Sequence, residues 1–211
     1  MAVLRWIGVA AMATPLWFTA VYLAVSGLRP EFRHFNQAVS ELGALDAPYR
    51  WWWNTLGYLL PGLVVVALAL ALRQLLAPRG LATLPFYALL ASGLFLSMSG
   101  LFPGDFEHRG ALTMRLHSIG AYGSGLCFVV AAFWLPLRFR VVAAWRSLSL
   151  PTMALAVLLL LSAVLRDGAL PGLGQRLSFA CLFCWVAVVG WGVFRESNAG
   201  TPGAGPACIS C

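Results

Sequence analysis

His117, Asp105 and Glu41 are the residues of this 211-residue chain best suited to moving protons. An imidazole titrates near neutral pH and serves as general acid or base when a carboxylate lies within reach. Arg115, Ser40, His108 and Asp46 accompany them as groups able to hold a polar or anionic ligand. Arg115 and His117 fall in the first turns of an apolar helix, where an ionisable group is costly and needs a cavity or a partner. The natural partner for Arg115 is Asp105 or Glu41. The plainer reading is that His117 hydrogen-bonds a neighbouring helix while the acids pair with arginines.

His34, His108, His117 and Asp105 have the donor types of an open zinc site, whose bound water could attack an ester or amide. The spacing from His108 to His117 is not a ligand signature, and no metal is assigned. A nucleophile elbow, a phosphate-cradling glycine loop and a facing haem-binding histidine pair are all missing, so no cofactor is assigned either.

The elements that must position these groups are apolar. The chain is 61% hydrophobic and 10% charged, with mean hydropathy +0.83. A membrane-spanning helix needs about 20 such residues. Candidate spans are Trp6–Gly27, Trp53–Leu72, Leu81–Phe102, Thr113–Leu137, Leu148–Leu165 and Leu177–Phe194. This predicts an all-α polytopic membrane protein, a six-helix bundle built from three hairpins over residues 1–195. Residues 196–211 read as a disordered Gly/Pro-rich tail. The first apolar run continues past Ala11-Met12-Ala13, too early for a cleavage site, and reads as a retained helix.

The net charge of +7 comes from arginine alone. These arginines punctuate helix ends, where they reach headgroups, and a nucleic-acid partner is not indicated. The lipid bilayer is the implied partner. Arginines divide evenly between the two faces, so the positive-inside rule is silent. Glu31, Glu41, Asp46, Asp105, Glu107 and Asp167 share one face against Glu196 on the other. With the free amino terminus, they favour cytoplasmic termini, an outer acid-rich face and a plasma-membrane location.

Ser26-Gly27-Leu28-Arg29-Pro30 to His34 echoes Ser99-Gly100-Leu101-Phe102-Pro103 to His108, a short trace of duplication. Gly93/Ser97, Gly120/Ser124 and Ala121/Gly125 place small residues one turn apart, marking helices three and four as a tight pair. Pro15, Pro61 and Pro85 interrupt helices. Trp51, Trp52 and Trp53 with Tyr49 read as one interfacial belt, and Trp6, Trp134, Trp145 and Trp191 as the other. Ser40-Glu41-Leu42-Gly43 reads as a short amphipathic element over the bundle mouth. Cys181 and Cys184 read as small apolar residues of helix six, and Cys208 and Cys211 as tail thiols.

The runs Val39-Ser40-Glu41-Leu42-Gly43-Ala44, Gly100-Leu101-Phe102-Pro103-Gly104-Asp105, His117-Ser118-Ile119-Gly120-Ala121 and Gly172-Leu173-Gly174-Gln175-Arg176 resemble the prokaryotic membrane family catalogued as domain of unknown function 998. The resemblance spans about residues 5–195. It implies a six-helix bundle with these polar motifs at one end, and it carries no activity. A superficial likeness to alkaline-ceramidase-type membrane hydrolases stops at helices five and six, which here contain no histidine.

The expectation is therefore an outward-facing polar pocket that handles a lipid headgroup or small polar solute. The alternatives are a membrane-embedded lipid hydrolase, a proton-coupled carrier, and a structural or accessory subunit. The oligomeric state is left open.

Overall fold

The computed structural model describes residues 1–80, 83–166, 168 and 170–199. Among them six helices are long and apolar enough to cross a membrane: α1 Ala2–Gly27, α2 Arg50–Arg79, α3 Leu84–Leu101, α4 Leu112–Phe139, α5 Ala143–Arg166 and α6 Pro171–Ala199. The six-helix expectation holds, and most ends lie beyond the apolar runs. Hydropathy marks the part of a helix that meets hydrocarbon, whereas backbone bonding carries the helix on through its arginine-bearing ends. Helix α6 thus takes in Glu196 and the residues up to Ala199. Asp167, Cys208 and Cys211 lie outside the described residues.

Consecutive helices pack side by side, and α6 closes the bundle against α1. Small residues decide where backbones approach. A Cβ on Gly120 would sit 2.8 Å from the Phe95 carbonyl, and the Ser92 hydroxyl donates to the Ser124 carbonyl at 3.0 Å, so α3 and α4 are the close pair expected. Gly93 points elsewhere. Its added Cβ would meet the Gly62 carbonyl at 2.6 Å, placing the Gly93/Ser97 stripe on α2.

Pro61 has a second consequence. It lacks an N–H, and just before it the helix widens into a π turn over Asn54–Leu59, with Leu60 N–H reaching the Thr55 carbonyl. The Leu56 carbonyl accepts Trp17 Nε1–H at 2.9 Å, and the Leu59 carbonyl accepts the Ser97 hydroxyl at 3.3 Å. Side chains from α1 and α3 thus supply bonds to a stretch where regular pairing is broken. Pro85 stands in the first turn of α3, where its missing N–H costs nothing, and does not interrupt the helix.

Two of the tryptophans expected at the interfaces are core residues. Trp53 is fully buried, edge-on to Phe18 at 5.5 Å and to Tyr58 at 5.5 Å. Trp145 is also fully buried and donates its indole N–H to Glu196, which pairs with Arg79 as well. One carboxylate thereby ties the ends of α2, α5 and α6. Trp6, Trp51, Trp52 and Trp191 remain exposed, as anchors should be.

The glycine seam gives a direct test. A Cβ at Gly62 would lie 2.3 Å from Ser97 Oγ and 2.7 Å from the Gly93 carbonyl, whereas one at Gly27 meets nothing within 4 Å. Gly62→Ala is expected to cost about 1–3 kcal/mol through overpacking. Gly27→Ala should leave the thermal midpoint of the solubilised protein unchanged or slightly raised.

Candidate functional site

The site is assembled from the loop between α1 and α2. Its Val39–Gly43 segment forms a 3₁₀ turn, the short element expected there. Glu41 closes this turn on itself: one carboxylate oxygen accepts Ala38 N–H at 2.8 Å and the other accepts Gln37 Nε2 at 2.9 Å. Gly43 brings the loop onto α2, where Asn54 Nδ2 donates to the Gly43 carbonyl at 2.9 Å. Leu45 N–H reaches the Gly104 carbonyl at 2.9 Å, joining the α1–α2 loop to the α3–α4 loop.

The start of α6 clasps the same loop. Leu173 N–H donates to the Phe35 carbonyl at 3.1 Å, and Gln175 Oε1 accepts Val39 N–H at 2.6 Å. Arg176 donates through Nε to the Tyr22 hydroxyl at 2.6 Å, and that hydroxyl also bonds His34 Nδ1. The Arg176 guanidinium lies 5.1 Å from the Tyr22 ring centroid and 5.5 Å from that of Phe32. Aromatic faces hold this cation, with no carboxylate paired to it among the described residues. Arg29 donates to the Glu41 carbonyl at 3.0 Å and pairs with Glu31 at 2.7 Å. Its guanidinium keeps the Glu31 carboxyl below the ordinary carboxylate range.

Beneath this cover lies His117, only 4% exposed. Its Nδ1 meets the carbonyls of Ser99 at 3.1 Å and Phe102 at 3.0 Å, both at the end of α3. Carbonyls only accept, so Nδ1 carries the proton and Nε2 of the neutral ring is left as the base. The bonds to α3 match the plainer expectation for this residue, and they also orient the ring.

His117 lines a cavity of about 700 Å³ bounded by α3, α4, α5, α6 and the loop. Ser40, Tyr58, Ser118 and Gln175 give it a polar end near the loops, while Leu96, Phe128 and Leu182 line its depth. The Tyr58 hydroxyl lies beside Ser40 and Trp53. Ser178 also lines the cavity, bonded to Ser162 at 2.6 Å. At the opposite end α4 and α5 are tied by Ser149, which donates to the Pro136 carbonyl at 2.7 Å. Toward the loops their lining residues reach the bundle surface: Tyr122 and Leu126 are 70% exposed and Leu160 is 45% exposed. The cleft opens sideways between α4 and α5.

Of the residues singled out in the sequence, His117 and Ser40 meet at this cavity. Asp105 instead accepts His108 N–H at 2.8 Å and faces His108 Nδ1 at 3.3 Å, with the His108 side chain 77% exposed. Glu41 is taken up by its own turn, and Asp46 is exposed with no bond or ion pair among the described residues. The ion pair expected between Arg115 and Asp105 or Glu41 is not formed. Arg115 sits on an exposed face of α4, two residues before the inward-facing His117, so the helical twist carries it away from the bundle. Among the described residues no three His, Cys, Asp or Glu side chains converge on a metal-sized point.

Tyr58, Ser118, Gln175 and Arg166 were not singled out and do line the cavity. Gln175 stands in one of the four motif runs, which was the available signal. Tyr58 lies in an unbroken apolar run and gave none.

The clasp can be tested at Gly172, where an added Cβ would sit 2.5 Å from the Gln37 carbonyl and 2.8 Å from the His34 carbonyl. Propensity alone favours alanine over glycine in a helix by about 1 kcal/mol. Gly172→Ala should nevertheless speed amide exchange in residues 35–45 by about tenfold or more, while the α3–α4 core stays protected. Hydrogen–deuterium exchange with mass spectrometry checks this.

No curated protein and no solved structure matches the chain. A family model described as a protein of unknown function (DUF998) matches residues 12–192. The match begins within α1, ends within α6 and takes in the loop, the cavity and the α6 clasp between them. This chain belongs to the DUF998 family.

Proposed function

We propose that the protein binds a membrane amphiphile, with the polar head beside His117 and the apolar chain in the cleft between α4 and α5. The carrying observation is the cavity itself: about 700 Å³, polar at the loop end, apolar in depth and open toward the bilayer. That volume falls in the ~300–1,000 Å³ range of small-molecule sites. A soluble polar ligand would gain nothing from the sideways opening, whereas a lipid could enter without leaving the membrane. We place this end at the outer leaflet of the plasma membrane, a placement supported by the acids gathered on the loops at this end.

The carrier reading is weaker. Below the cavity the bundle is filled by Phe86, Leu89, Ala131, Ala132 and Leu135, all 1% exposed or less, with no charged side chain among the buried described residues. A hydrolase would use His117 Nε2 as its base, yet backbone carbonyls, not Asp105 or Glu41, hold Nδ1. Binding is therefore preferred over turnover.

Closing the cleft tests the reading. A Cβ at Gly125 meets nothing within 4 Å, and Ala163 lines the facing wall on α5. The double variant Gly125→Phe/Ala163→Phe should fold and lose most of the lipid that co-purifies with the wild type, read by native mass spectrometry. A folded variant that retains its full lipid load would contradict the proposal.

A further inference from the structure

We infer that the head held at the loop end of the cleft is uncharged and carries a hydroxyl, as in a long-chain alcohol or an acylglycerol. This rests on the amphiphile reading and goes on to name the ligand class. The carrying residue is His117, buried and bonded on one side alone. Nδ1 gives its hydrogen to the Ser99 and Phe102 carbonyls, and Nε2 has no partner among the described residues. The neutral ring therefore offers the cavity one acceptor and no donor. The flanking rings, Tyr58 at 6.3 Å and Phe106 at 6.5 Å between centroids, do not change this. Phe106 has no donor, and the Tyr58 hydroxyl lies beside Ser40 and Trp53. An acceptor this buried gains most from a ligand that brings a hydrogen.

That requirement sorts the heads. A carboxylate or a dianionic phosphate has no hydrogen to give and would set one lone pair against another. An ester or a ketone only accepts. A quaternary ammonium has no N–H, and a protonated amine would enter a lining with no Asp or Glu among the described residues. Arg166 lines the cavity too, but it already has a partner and does not by itself call for an anionic head. A hydroxyl meets the requirement without charge. Its hydrogen goes to Nε2, and its oxygen accepts from the donors that remain. Those are the Gln175 amide, whose Oε1 is spent on Val39 N–H, and the hydroxyl of Ser118, next to His117 on α4. Ser40 and Tyr58 add hydroxyls for the further oxygens of an acylglycerol.

The experiment is competition binding on the full-length protein in nanodiscs, with a chain-labelled fluorescent hexadecanol as the reporter. The competitors are hexadecanol, monohexadecanoylglycerol, 1-methoxyhexadecane, hexadecanoate and hexadecyltrimethylammonium, compared at matched mole fraction in the bilayer. The ether is the sharp comparison, since it keeps the chain and the oxygen and cannot donate. Hexadecanol or the acylglycerol should displace the reporter at about tenfold lower mole fraction than the ether or either ion. Which of the two leads separates an alcohol from an acylglycerol ligand. His117→Phe should remove that advantage while leaving displacement by the ether unchanged. Equal displacement by the alcohol, the acylglycerol and the ether, a lead for either ion, or an advantage that survives His117→Phe overturns the hydroxyl assignment and leaves the amphiphile site standing. Failure of the reporter to bind, with no competitor retained on the protein in native mass spectrometry, overturns both. Should His117→Phe not fold, the order of the five ligands on the wild type decides alone.

Discussion

The contact between Gly172 and the α1–α2 loop is the interaction on which the rest of the polar end depends. The absent side chain lets the start of α6 approach the carbonyls of His34 and Gln37, closer than any Cβ would allow. Leu173, Gln175 and Arg176 then bond or stack onto the loop and onto Tyr22. With the loop held there, Ser40 comes to the cavity and Gly43 comes to Asn54. A long connector lying on an apolar bundle must have its backbone groups satisfied, and α6, α2 and the α3–α4 loop supply bonds to them.

The same requirement shapes the interior. The π turn before Pro61 leaves carbonyls that Trp17 and Ser97 occupy, and it follows Trp53 and contains Tyr58. His117 bonds the carbonyls that α3 leaves open at its end. Trp17, Ser97, His117 and Gln175 therefore each answer a backbone group first. What remains for a ligand is the second valence: Nε2 of His117 and the amide hydrogens of Gln175. A site built this way is oriented before any ligand arrives, which lowers the cost of ordering it on binding.

Much of the fold was legible because hydropathy and helix length speak directly to a bilayer. The partner of a small-residue stripe was less so. Gly120 faces α3 as expected, but Gly93 faces α2, since a glycine marks a close approach without naming the helix that makes it. His117 stood out as an ionisable group inside an apolar helix, and such a group needs partners. Glu41 and Asp105 misled for a local reason. Each carboxylate caps a backbone N–H three residues away, at Ala38 and His108, a bond that requires no tertiary site. Tyr58 and Gln175 reach the cavity only through the packing of distant segments, and no local pattern announces that. Position along the chain puts Trp53 and Trp145 at the interfaces, whereas helix rotation turns both into the core.

The central claim is that a lipid chain occupies the depth of the cleft. Photo-crosslinking tests it most directly, with a diazirine-bearing residue placed at Leu182 on the cavity wall and, separately, at Leu89 in the packed core. After irradiation in native membranes, mass spectrometry should find a lipid adduct at position 182 and protein–protein crosslinks alone at position 89. Protein–protein crosslinks alone at both positions would mean the cleft is closed to lipid, contradicting the account.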